Sequence, residues 1–213
     1  MKKSPAVFIA LTFLFISSAY TQKRDTITKK SYETQSIPIG SISLDGIFDE
    51  PEWNTVEWGG DFIQRNPYEG KAPTQKTAFK ILYDDKNLYV AFRCYDTAPD
   101  SIVKRMSRRD GFEGDWIEIN IDSYNDKRTA FSFTTSVSGV RGDEFISNNG
   151  GNWDTSWNPI WDAKTSIDSL GWTAEVRIPF SQIRYSNKEE HVWGLQFTRR
   201  DFRQESRSVW QFV

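Results

Sequence analysis

The stretch 110–126, DGFEGDWIEINIDSYND, decides how the rest of the chain is read. Its centre alternates strictly from Trp116 to Asp122. Ile117, Ile119 and Ile121 hold one parity, and Trp116, Glu118, Asn120 and Asp122 hold the other. Successive strand side chains point to opposite faces, so the pattern predicts a strand with an inward isoleucine row and an outward polar row. A helix, with its period of about 3.6, would scatter the isoleucines around its circumference.

The same period recurs on both sides. In TAFKILYDDKNLYVAFRCYD (77–96) two alternating runs flank the polar turn at Asp84–Asn87, which predicts a hairpin. Phe131, Phe133 and Thr135 share one face of RTAFSFTTSV. Runs at 163–167 and 172–178 flank a DSLG turn; Pro179 stops the second, and FSQI after it is read as one helical turn. Trp193, Leu195 and Phe197 share a parity in 192–200, and 208–213 reads as a last strand. Short alternating runs separated by turn residues predict an all-β, antiparallel β-sandwich of the immunoglobulin or jelly-roll kind.

The first residues carry a different signal. Lys2 and Lys3 precede the apolar run Ala6–Ile16, and Ser17, Ser18 and Ala19 follow it, so 1–19 is expected to be a secretory signal peptide. The run is too short for a membrane-spanning helix, which needs roughly 20 residues. Residues 20–36 are polar and aperiodic and read as a tether, leaving 37–213 for the sandwich. The abrupt ending on VWQFV predicts that the domain is cut from a longer, exported protein, periplasmic, outer-membrane-associated or extracellular.

Composition narrows the chemistry. A net charge of −2 gives no general attraction to nucleic acid. Two basic clusters, KRMSRR (104–109) and RRDFR (199–203), are read first as partners of the acidic stretch and second as a site for an anionic ligand. Cys94 is the only cysteine and shares a parity with Leu88, Val90 and Phe92, so it is expected as a buried thiol. His191 is the only histidine; with one thiol it cannot close a zinc site, and there is no G-x-S-x-G nucleophile turn.

Glu118 and Asp122 lie four residues apart on one strand face, roughly 13 Å by strand rise, whereas glycoside hydrolysis uses pairs about 5–9 Å apart. A non-catalytic domain is the favoured reading, with a hydrolase as the alternative. Asp122 and Asp126 sit in an oxygen-rich turn that could hold a structural calcium or simply be a solvated turn. Trp153, Trp157 and Trp161 recur every four residues and are candidates for an aromatic platform, although Gly150, Gly151 and Pro159 predict a loop there.

Four segments together resemble one family. LDGIFDEPEWNTVEW (44–58), ILYDDKNLYVAFRCYD (81–96), GDWIEINID (114–122) and GWTAEVRIPFSQI (171–183) follow, in order, the pattern of carbohydrate-binding module family 9. FIQRNPYEGKAPTQKT (62–77) and FSQIRYSN (180–187) are similar to exported Bacteroidetes proteins in which such a module precedes a barrel-like membrane domain. The resemblance implies a β-sandwich that binds oligo- or polysaccharides by stacking aromatic rings on pyranose faces, with calcium supporting the fold. It places Phe112 at one stacking position and Glu118 at a polar contact. It puts Ser132 where an arginine is expected, and a second stacking tryptophan just past Trp210. Trp153 and Trp157 are candidate replacements. The resemblance also leaves open a structural cap for a membrane barrel.

Overall fold

The alternation at 116–122 builds the central strand of a seven-stranded sheet in a computed structural model that describes residues 29–188 and 190–212. The strands are β1 (Gln35–Ser36), β2 (Ile63–Asn66), β3 (Thr77–Tyr83), β4 (Asn87–Tyr95), β5 (Trp116–Asp122), β6 (Ala130–Ser136), β7 (Arg141–Ser147), β8 (Asn152–Asp154), β9 (Asp162–Asp168), β10 (Gly171–Pro179), β11 (Gly194–Asp201) and β12 (Ser206–Val209). One sheet runs β1-β3-β4-β10-β9, the other β2-β12-β11-β5-β6-β7-β8. Every pairing is antiparallel except β1 with β3. The expected all-β sandwich is the fold.

Ile117, Ile119 and Ile121 are fully buried between the sheets. Burying a side chain of that size is worth about 1.5–3 kcal/mol over leaving it in water, so the alternation itself drives the sheet inward. Aromatic rings lock the layers together: Phe197 on β11 lies 4.4 Å from Phe79 on β3 and 5.0 Å from Phe92 on β4, centroid to centroid. Cys94 is buried beside them, and burial pushes its thiol up to about 12, which leaves it unreactive at neutral pH.

The five-stranded sheet is covered on its other face too. Ile37, Ile42, Trp53 and Val56 pack there against Leu82, Tyr89 and Ala91. Glu175 on β10 pins this cover: its Oε2 accepts the N–H groups of Asp45 (3.0 Å) and Gly46 (2.9 Å), and its Oε1 accepts the indole N–H of Trp53 (3.1 Å). One sheet is thus sealed on both faces. The seven-stranded sheet keeps an outer face open.

Three expectations shift. The described end of the 20–36 segment is no free tether: β1 joins the sheet edge, Tyr32 Oη donates to the Glu57 carbonyl (2.6 Å) and Thr34 Oγ1 to that of Ile81 (2.7 Å). Two polar strand residues leave no periodic signal to read. The expected signal peptide, 1–19, and residues 20–28 lie outside the described residues. β11 starts at Gly194, after Trp193, and β12 starts two residues earlier than expected. FSQI does open on a short helical turn, Phe180–Gln182. Among the described residues no helix is long and apolar enough to cross a membrane.

Candidate functional site

The polar parity of β5 floors an open cleft of about 650 Å³ on the outer face of the seven-stranded sheet. That volume lies within the range of small-ligand sites. Register brings the floor together from distant sequence: Glu118 sits between Thr198 on β11 and Thr134 on β6, and Asn120 between Gln196 and Ser132. Asn120 Oδ1 has no hydrogen-bond partner among the described residues. Gln196 is held from the chain's far end, because its Oε1 accepts the N–H of Gln211 (3.3 Å) and its amide donates to the Gln211 carbonyl.

Phe112 and Trp116 form the wall, with ring centroids 6.3 Å apart. Phe112 can close down onto β7 because a glycine lies beneath its tip: a Cβ on Gly142 would stand 2.6 Å from Phe112 Cζ. The loop carrying Phe112 is fixed at both ends. Asp110, in the left-handed region at φ 66°, donates its N–H to the Arg141 carbonyl (3.1 Å). Asp115 donates its N–H to the Val103 carbonyl (3.0 Å), and its Oδ1 accepts the N–H of Phe202 (3.0 Å). Asp115 therefore orders this loop, as its position before the strand predicts. Burial pushes its carboxyl up to about 6, against the pull of the Phe202 N–H and Arg199.

Glu118 accepts a hydrogen bond from Ser132 Oγ at 3.3 Å, so the serine at the expected arginine position supports this carboxylate. A second carboxylate, Glu144 on β7, also lines the cleft. Burial raises its pKa, and the charges of Glu118, Asp110 and Asp143 add to the rise.

The three tryptophans part company. Trp153 is 46% exposed on the edge strand β8 and lines the far rim of the cleft, its indole donating to the Gly150 carbonyl at 3.0 Å. Trp157 turns away, packing 5.0 Å from Phe131 and 5.4 Å from Phe133. Trp161 is buried, with its indole donating to Asp143 Oδ1 at 2.9 Å. The shared platform expected from their spacing does not form, because core contacts and a buried acceptor claim two of the three. Phe112, Glu118 and Trp153 share one cleft; Trp157 lies off it.

Asp122 and Asp126 do not fit a calcium site. Asp122 accepts the N–H groups of Asp126 (3.1 Å) and Lys127 (2.8 Å), and Asp126 accepts those of Arg128 (2.7 Å) and Thr129 (2.8 Å). Both carboxylates serve their own loop, and among the described residues no group of three or more His, Cys, Asp or Glu converges. The basic clusters divide. Arg109 pairs with buried Asp143, and Arg203 with Asp96 at 2.7 Å. Arg199, buried, donates to the Lys76 carbonyl at 2.8 Å with Asp115 nearby. His191 is exposed beside Tyr185.

Sequence reasoning did not single out Trp116, Asn120, Gln196 or Glu144 as site residues. The first two share the parity of Glu118 and were within reach. The other two need the order β11-β5-β6-β7, which no local pattern announces.

Comparison with known proteins agrees with this architecture. The chain superposes on a carbohydrate binding module family 9 from Caldicellulosiruptor kristjanssonii in complex with glucose, with a TM-score of 0.58 at 20% identity over 84% of this chain and 90% of that one. The same module in complex with cellotriose gives 0.57 at 20% identity, over 84% and 88%. A candidate carbohydrate-binding protein from Bacteroides uniformis gives 0.64 at 15% identity, over 86% and 91%. No curated protein sequence matches the chain. Residues 44–211 match the family described as carbohydrate family 9 binding domain-like, and the chain belongs to that family.

Proposed function

We propose that this domain is a non-catalytic carbohydrate-binding module of an exported protein and that the cleft holds an oligosaccharide. The observation that carries the reading is an aromatic wall of two rings tilted 54° to each other, Phe112 and Trp116, beside a floor of hydrogen-bonding groups at Glu118, Asn120 and Gln196. A pyranose ring has an apolar face and a hydroxyl rim. Rings stack on the face and bury apolar area, while carboxylate and amide groups take the rim. The complexes of the C. kristjanssonii module with glucose and cellotriose support the same class of ligand.

The test is calorimetric titration of cellotriose and other oligosaccharides into the protein and into Phe112→Ala. Saturable binding is expected, weakened about tenfold or more in the variant, which is ~1.4 kcal/mol. The half-exposed position should leave the melting temperature nearly unchanged. Equal affinity in both proteins, or no heat from a folded protein with any glycan, would sink the reading. A structural cap for a larger assembly would then lead.

Glu144 motivates a second reading. Burial and neighbouring carboxylates raise the pKa of Glu144, and it lines the same cleft as Glu118, so the two carboxyls are the candidates for an acid/base pair. Hydrolysis would show as new reducing ends that vanish in Glu144→Gln; the module reading expects none.

A further inference from the structure

The cleft sets charged groups around its aromatic wall, and its two ends differ in sign. Glu144 and Asp110 lie toward the β7 side and Glu118 at the centre on β5, whereas Arg65 on β2 and Arg207 on β12 line the other end. Arg207 stands directly opposite Arg200 on β11, and Arg200 stands opposite Trp116 on β5. Among the described residues none of these three guanidinium groups makes an ion pair or a side-chain hydrogen bond, although five other arginines each find a carboxylate.

That arrangement is unfavourable for folding alone. Like charges directly opposite on neighbouring strands destabilise the pair. Solvent and salt soften the repulsion without removing it. Stacking explains part of the placement: Arg207 Cζ lies 5.2 Å from the Trp116 ring and Arg200 Cζ 5.8 Å from that of Phe202. A guanidinium stacked by its face still presents its N–H edge, and these edges are unpaired beside the ring proposed to carry a sugar. Guanidinium groups match carboxylates and sulfates through paired N–H donors.

We propose that Arg65, Arg200 and Arg207 form an anion subsite at the β2–β12–β11 end of the cleft, which takes a carboxylate or sulfate ester on a sugar of the bound glycan. The proposal rests on the carbohydrate-binding reading and deepens it to an acidic glycan. It also orients the ligand. Glu144 on β7, with Asp110 near it, repels an anionic group from that end and lies about four interstrand steps from β12, roughly 19 Å at about 4.8 Å per step, whereas Glu118 on β5 stands between the two ends. The anionic unit therefore sits next to Trp116 on the arginine side, and neutral hydroxyl-bearing units extend over Glu118 toward Trp153.

A matched set of ligands tests this: cellotriose, a cello-oligosaccharide of the same length oxidised to uronate at C6, and one sulfated at O6. Each is titrated at low and at high salt into the protein and into the double variant Arg65→Gln/Arg207→Gln. Both residues are exposed and unpaired, so the variant should melt where the parent does. At least one anionic oligomer is expected to bind tenfold or more tightly than cellotriose at low salt. That preference should shrink with salt and collapse toward unity in the variant. Preference for uronate over sulfate, or the reverse, names the group. Cellotriose bound as well as both anionic oligomers, or a preference that survives in the variant, overturns the anion subsite and leaves carbohydrate binding standing. Binding of none of the three by folded protein removes both.

Discussion

Phe112 owes its orientation to the residue beneath it. A methyl group at Gly142 would lie 2.6 Å and 2.9 Å from two atoms of the ring and 3.1 Å from Asp110 Oδ1. The backbone there is held by the pairing of Gly142 with Thr134 on β6. The ring, being half exposed, can swing out. Gly142→Ala is therefore expected to weaken sugar binding about as much as Phe112→Ala, roughly tenfold. Its effect on stability should stay within about 1 kcal/mol, since the displaced ring goes to solvent rather than into the core. Calorimetry and a thermal melt on the same sample separate the two effects. Unchanged affinity in Gly142→Ala would mean that Phe112 is not a ligand contact or is not seated by the glycine.

The two most recognisable segments, 44–58 and 171–183, meet in space, and neither lines the cleft. The DG of the first and the glutamate of the second are hydrogen-bonded through Glu175, with Trp53 closing the arrangement. Thr173 Oγ1 adds a bond to the Gly46 carbonyl at 2.6 Å. Gly46 has φ +90°, and a Cβ there would stand 2.9 Å from the Thr165 backbone carbon, an atom fixed in the sheet. Gly46→Ala is expected to cost about 2–4 kcal/mol from strain plus overpacking, read as a lower urea midpoint, with sugar affinity at native conditions unchanged. A variant as stable as the parent would show that this turn does not pin the cover. The same junction explains what was legible. Period-2 runs and turn residues report one strand at a time, so β5, the β3–β4 hairpin and the burial of Cys94 could be read directly. Strand order across a sheet is a property of pairs far apart in sequence, so Gln196 and Glu144 could not be placed beside Glu118. Spacing by four at Trp153, Trp157 and Trp161 meant nothing without a helix to give it a direction.

Two buried carboxyls at opposite sides of the sandwich predict how the fold responds to pH. Burial pushes Glu175, beneath the cover, from 4.5 up to about 7 even though three N–H donors oppose it, and Asp115, behind the cleft loop, from 3.8 up to about 6. A carboxyl with a raised folded pKa binds its proton more tightly in the native state. Its contribution is complete below the unfolded pKa and is lost as pH rises through the folded one. Stability should therefore fall between about pH 4 and pH 7. Other carboxylates act in the opposite sense. Burial would raise Asp168 and Asp126, but Arg93 with the Leu170 and Gly171 N–H groups lowers the first, and the N–H groups of Arg128 and Thr129 lower the second. Their contribution is lost in acid below about pH 4, so the most stable condition lies near pH 4–5. One pKa unit corresponds to ~1.36 kcal/mol, so the alkaline loss amounts to a few kcal/mol, a sizeable share of an ordinary domain's 5–15 kcal/mol. Urea midpoints at pH 4.5, 6 and 8 measure it directly. Glu175 and Asp115 belong to different layers and share no partner, so their effects should add, and Glu175→Gln/Asp115→Asn should flatten the curve above pH 4.5. If wild type and double variant lose stability with the same slope, the neutral forms of these two carboxyls are not what the native fold favours.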